Sequence, residues 1–294
     1  MKFGKVLDPT AIDFSLPQTP QETRNLLNKH KGQQDFEIFV GYPKWSKADL
    51  KGFYPRGTKD ELFYYSNKFN AIEFNGTFYR SPSKEQVLTW KNRTADNFKF
   101  CPKFTNSISH YSRLNNTDEK VAAFVDSTIL FEEKLGLGFV QMPENFRPKA
   151  FDRLQGFLKR FPKGYPLAME VRNEEWFNDP HVLKEYLQLL SETNTTNIIV
   201  DTPARRDMLN FRLTTPIAFI RFVSSTHEID KLRLKQWVNK LKEWKQDGLH
   251  QAYFFIHQKI DQETEFLSDD FIQELNKNLD CNLPLANKSV GIKS

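Results

Sequence analysis

Two cysteines in 294 residues, Cys101 and Cys281, are too few for a disulfide framework or a cysteine metal cluster, which fits a reducing compartment. No apolar run approaches the roughly 18 residues that a membrane helix needs, and the opening stretch MKFGKVLDPTAIDFSLP lacks the apolar centre of a signal peptide. A cytoplasmic protein without a membrane partner is therefore expected. No G-x-G-x-x-G follows the first strand-like run, which argues against a dinucleotide fold. H-x-H and H-E-x-x-H are both missing, and no serine or cysteine stands in a nucleophile-elbow context. There is also no Pro/Gly/Ser-rich linker to split the chain.

What is abundant is aromatic. Twenty-seven phenylalanines, within an aromatic fraction of 14%, support a sizeable core, while a mean hydropathy of -0.61 describes a polar surface. The formal charge of +5 and pI near 9.0 favour anionic partners, although the positive charge is spread along the chain.

Eight short apolar runs alternate with helical patterns. They are 37–41, 71–75, 98–103, 137–141, 167–172, 197–201, 217–223 and 252–257. The intervening segments carry helix signals. Thr58 with Glu61 and Ser83 with Gln86 read as capping boxes, and Asn116 with Glu119 as a further start. Asn178 or Asp179 before Pro180 reads as another, and Asp230 as the cap of a helix burying Leu234, Trp237, Val238, Leu241 and Trp244, with Gly248 as its stop. The crossover 202–216 is too short and basic for a comfortable helix. Such alternation predicts a TIM-barrel-like (β/α)8 parallel barrel over residues 36–280, preceded by an extension over 1–35 and followed by a polar tail over 281–294.

Several stretches together resemble the YecE-like family, domain of unknown function 72: FVGYPKWS with FYPRG, FNAIEFNGTFYRSPS, FKFCPKFTNSISH, LGFVQMPENF, AMEVRNEEWFND, VDTP, FIRF and YFFIHQ. They recur in family order from about Glu37 to about Gln273. The resemblance implies a TIM-barrel-like fold and no settled reaction. Glu73, Lys103, His110, Glu170, Arg172, Asp201 and Arg221 stand where the family pattern puts them. The chain departs from that pattern at Asn173 and at Val223, where the family commonly has histidines, and at His257 and Gln258, where it commonly has Asn-Asn.

In a parallel barrel the carboxyl ends of the strands build the site, and strand alternation puts Glu73 with Asn75, Glu170 with Arg172, and Arg221 with Val223 on shared faces. If those faces point inward, Glu73, Lys103, Gln141, Glu170, Arg172, Asp201, Arg221 and His257 converge on one mouth. Glu73, Glu170, Asp201 and His110 are then the candidate catalytic groups. Asn75, Thr77, Tyr79, Lys103, Gln141, Arg172, Trp176, Arg221 and His257 are the candidate ligand-binding groups, with Trp45, Phe78, Tyr79 and Trp176 as aromatics able to stack on a sugar or base. The competing reading is purely structural, with Glu170 and Arg221, or Glu73 and Arg172, as buried ion pairs. The carboxylates and histidines also suit zinc or manganese, but three interleaved cations would repel a dication, and no cofactor is required.

Arginines that grip a phosphate or carboxylate, with a carboxylate as acid or base, suit an enzyme acting on a phosphate-bearing small molecule or nucleic-acid fragment, with hydrolysis as the reaction considered. On that view Glu73→Gln and Arg221→Ala stay folded and lose ligand. The alternative is a non-catalytic nucleic-acid binder using Arg205, Arg206, Lys99, Lys103 and Arg113. Neither oligomeric state nor substrate is legible at this level.

Overall fold

A computed structural model describes residues 6–260 and 266–286; the end of the expected polar tail, 287–294, and the first five residues of the expected extension lie outside the described residues. The strands are β1 (Glu37–Gly41), β2 (Ala71–Phe74), β3 (Lys99–Pro102), β4 (Gly138–Gln141), β5 (Leu167–Glu170), β6 (Thr195–Asp201), β7 (Ile217–Val223) and β8 (Gln251–His257). The helices are α1 (Gln21–His30), α2 (Glu61–Ser66), α3 (Lys84–Asn92), α4 (Asp118–Thr128), α5 (Phe151–Arg160), α6 (Glu175–Asn178), α7 (Pro180–Glu192), α8 (Ile229–Asp247) and α9 (Leu267–Leu279). Among the described residues no helix is long and apolar enough to cross a membrane.

The strands pair in parallel throughout, but not as one continuous ladder. Six form a sheet in the order β1-β8-β7-β6-β5-β4, and β2 pairs with β3 in a second sheet. The expected closed barrel is thus found as an α/β fold with a six-stranded and a two-stranded parallel sheet. Two seams interrupt the pairing. Between β3 and β4 there are only isolated bridges, Phe100 to Leu135 and Lys103 to Phe139, and Pro102 has no N–H to add to the ladder. Between β1 and β2 a side chain stands in for most of the backbone pairing: Asn70 accepts from the Val40 N–H and donates to the Ile38 carbonyl, both at 2.8 Å, and one backbone bond, from the Glu73 N–H to the Tyr42 carbonyl at 3.2 Å, follows. Gly41 lies so close to β2 that a Cβ there would sit 1.9 Å from the Ala71 carbonyl oxygen. Only glycine fits.

One apolar cluster draws a residue from each of the eight strands, from Phe39 and Ala71 round to Phe219 and Tyr253. The opposite strand faces pack against the helices. On α8 the expected Leu234, Trp237, Val238, Leu241 and Trp244 are all buried, and Gly248 ends the helix at φ 117°. Ser83 and Gln86 form the expected capping box, and Asp179 caps α7 through the His181 N–H.

Other helix starts differ. Asp60, not Thr58, caps α2 by accepting from the Phe63 N–H, because the Thr58 hydroxyl is turned back to the Pro55 carbonyl. Asn116 takes a left-handed φ of 50°, so α4 begins at Asp118. Asp230 is not a cap. It lies inside the first turn of α8, fully buried among Ser224, Ser225 and Arg233. The 202–216 crossover contains only a short turn at Arg206–Met208, as its length requires.

Candidate functional site

Alternation sets the next layer above the apolar cluster. Two residues beyond Ala71 comes Glu73, two beyond Cys101 comes Lys103, two beyond Phe139 comes Gln141, two beyond Ala168 comes Glu170, and two beyond Phe219 comes Arg221. At the carboxyl ends of β2, β3, β4, β5 and β7 a polar layer therefore caps an apolar one.

Arg221 is its centre. Its Nε and Nη2 donate to the two oxygens of Glu73, each at 2.9 Å, and its Nη1 donates to Glu170 Oε2 at 2.5 Å. His257 Nε2 lies 2.7 Å from Glu73 Oε2, and Asn75 Nδ2 donates to Glu73 Oε1 at 2.8 Å. Glu170 Oε1 accepts from Arg172 Nε at 2.5 Å and from Gln141 Nε2 at 3.0 Å. The Gln141 amide oxygen accepts from Lys103 Nζ at 2.8 Å, which completes a chain from Asn75 to Lys103.

Burial would raise the pKa of both carboxyls, but charge overrides it. Arg221, then His257, holds Glu73 well below the usual carboxylate range, and Arg221 with Arg172 brings Glu170 down to about 2. Both stay ionised at any physiological pH, which makes them anchors for cations and poor proton carriers. Lys103 moves the other way: burial, then the nearby Arg221, lowers it to about 8. Its ammonium lies over the Phe78 ring at 4.2 Å. His110, in the helical turn Ser107–Tyr111, packs edge-on against the same ring at 5.0 Å, with Nδ1 2.9 Å from Ser109 Oγ. Burial and the charges of Lys103 and Arg172 push its pKa down.

The remaining sequence candidates separate from this group, each for a physical reason. Asp201 is one residue past the inward-facing Val200 and so faces the helices, where Arg206, Arg233 Nη2 at 2.7 Å and Trp237 Nε1 at 2.8 Å hold it. It does not join the mouth. Trp176 is core and not rim: it is fully buried, stacks on Phe146 and donates to the Phe146 carbonyl at 2.8 Å. Thr77 is buried and directs its hydroxyl at the carbonyls of Phe74 and Lys103, so it positions the strand ends. Tyr79 is on the rim and 78% exposed. Trp45 packs against Phe74 and Trp90.

Sequence reasoning read Asp230 only as a helix cap and passed over its partner Arg233, and it passed over Asn70 at the β1/β2 seam. Arg233 sits three residues after Asp230 on a helix, a spacing that could have flagged the pair. Among the described residues no group of three or more His, Cys, Asp or Glu is placed to share a metal.

Comparison with known proteins places similar chains beside this one. A sequence profile described as "Protein of unknown function DUF72" matches residues 39–288. The UPF0759 protein YecE of Escherichia coli K12 is 28% identical over 242 residues, covering 75% of this chain and 86% of that one. Among solved structures, a DUF72 family protein from Enterococcus faecalis V583 superposes with a TM-score of 0.66 at 20% identity, over 85% of this chain and all of that one. Another from Thermotoga maritima MSB8 gives 0.59 at 23% identity, over 83% and 99%.

Proposed function

This chain belongs to the DUF72 family, whose matched region holds every residue of the mouth, and from that premise we propose that the mouth binds a small anionic molecule and acts on it by acid–base chemistry. On this reading the two sheets work as one barrel-like ring, with their eight strand ends turned to a common opening. The observation that supports the ligand class is a surplus of positive charge: the three cations Lys103, Arg172 and Arg221 stand in one hydrogen-bonded chain with the two carboxylates Glu73 and Glu170. Arg221 is consumed by the two carboxylates. Lys103, which faces an amide, is the cation left to meet a phosphate or carboxylate as a point charge, beside the partly exposed Arg172 that is ion-paired with Glu170.

Because Glu73 and Glu170 are held ionised, proton transfer falls to Lys103 and His110, which flank Phe78 and have pKa values pushed downward toward neutrality or below it. That moves the catalytic assignment from the carboxylates, where hydrolytic chemistry would need it, to these two groups. The nucleic-acid reading loses its basic crossover, since Arg205 pairs with Asp207 and Arg206 with Asp201. Lys99 Nζ is likewise turned to the Glu133 carbonyl.

The test is thermal unfolding with millimolar inorganic phosphate or 2-hydroxyethyl phosphate, against chloride of equal ionic strength to remove the general effect of salt. The protein should gain several degrees in Tm, and Lys103→Met should gain none. Equal shifts in both proteins, or no shift in either, would sink the proposal.

A further inference from the structure

The two arginines of the mouth are matched to carboxylates, Arg221 to Glu73 and Glu170 and Arg172 to Glu170, whereas Lys103 faces a neutral acceptor. That acceptor is itself oriented. Gln141 Nε2 donates to Glu170, so the amide oxygen is the atom turned to Lys103. An amide oxygen takes up no proton at neutral pH and does not lock the amine in its charged form, as a carboxylate would. The backbone is pinned on both sides. The Lys103 N–H donates to the Phe74 carbonyl at 3.1 Å, and its carbonyl accepts from Thr77 Oγ1 at 2.7 Å. Lys103 is buried but not sealed, with 7% of its surface exposed. Desolvation beside guanidinium groups is the setting that makes a lysine nucleophilic. At a pKa of about 8, about one molecule in ten carries the free amine at neutral pH.

We infer that Lys103 is a nucleophile that forms an imine with a ligand carrying an aldehyde or ketone close to its anionic group. The inference rests on the anionic-ligand reading above, with the phosphate or carboxylate beside Arg172 while the carbonyl meets Nζ. The nitrogen lone pair adds to the carbonyl carbon, a C–N bond forms, and the π electrons of the carbonyl pass to its oxygen. That oxygen is protonated at the expense of the nitrogen and leaves as water, giving C=N. In total one protonated amine and one carbonyl become one protonated imine and one water, with no oxidant or reductant. The imine's positive charge stays over the Phe78 face, which stabilises it.

Glycolaldehyde phosphate is the probe, 2-hydroxyethyl phosphate its analogue without a carbonyl, and borohydride reduction followed by peptide mass spectrometry the readout. The expected result is one reduced adduct per chain, on the peptide that holds Lys103, suppressed by 2-hydroxyethyl phosphate and lost in Lys103→Arg. Because the labelling is read on the unaltered protein, misfolding of the variant would not mask it. Label confined to surface lysines, while 2-hydroxyethyl phosphate still raises the Tm, overturns the imine and leaves the anion site standing. Failure of both probes to raise the Tm overturns the two together.

Discussion

Two buried ion networks in this protein use the same residue types and differ in how they end. Beneath α8, Arg233 donates to Asp201 and to Asp230 at 2.7 Å each, between the rings of Phe14 at 4.5 Å and Phe222 at 4.3 Å. Asp230 also accepts from Ser224 and Ser225, and Asp201 from Arg206 and Trp237. Two aspartates meet two arginines, and Arg233 and both aspartates are fully buried. The mouth has the same ion-paired centre, Arg221 between Glu73 and Glu170, and a partly exposed arginine closes each network, Arg172 here and Arg206 there, but the chain of the mouth continues to an ammonium matched only by an amide. Buried pairing is common to both, and on the reading proposed above the ammonium that faces an amide in place of a carboxylate is what sets the mouth apart.

The contrast breaks first at the two central arginines. Arg221→Met and Arg233→Met each take the shared guanidinium from two buried carboxylates, so each is expected to lower unfolding stability by about 3–5 kcal/mol in urea denaturation. The same measurement checks the expectation that an Arg221 substitution leaves the protein folded, and a loss of that size would make Arg221 unsuitable as a probe of binding. Glu170→Gln keeps the shape and removes the charge, with an expected loss of about 2 kcal/mol. It also carries a pH signature. Glu170 sits at about 2 in the folded protein against an ordinary 4.5, so its contribution is complete above 4.5 and is lost as pH falls toward 2. The urea midpoint should fall across that range, less steeply in Glu170→Gln.

Lys103→Met sharpens the contrast by having the opposite sign. Removing an ammonium that lacks a carboxylate is expected to stabilise the protein by about 1 kcal/mol at neutral pH. The lysine sits at about 8 when folded against an ordinary 10.5. The unfolded chain thus binds more protons between those values, and stability of the unaltered protein should rise with pH across that window, shrinking the variant's advantage. Urea midpoints at several pH values check this, and a destabilised Lys103→Met would refute it. The smallest effect is expected at Tyr79, whose exposed ring makes Tyr79→Ala change stability by less than about 0.5 kcal/mol by the same measurement.

The sequence by itself determined the run of strands and helices, because two- and 3.6-residue periodicities are local properties. Five of the mouth's residues, Glu73, Lys103, Gln141, Glu170 and Arg221, were legible for the same reason: each follows an inward apolar residue by two positions. Asp201 was misread because a strand's phase relative to the core is set by its neighbours, and one residue of phase turns a side chain from the mouth to a helix. Trp176 was misread because a tryptophan after a strand looks the same whether a partner such as Phe146 covers it or not. The interruption of the ladder at Asn70 and Pro102 likewise depended on which backbones meet. Above all, the tertiary structure decided which charges are matched. Partners come from strands far apart in the chain, 148 residues for Arg221 and Glu73, so only the folded chain reveals that both arginines of the mouth have a carboxylate and Lys103 an amide.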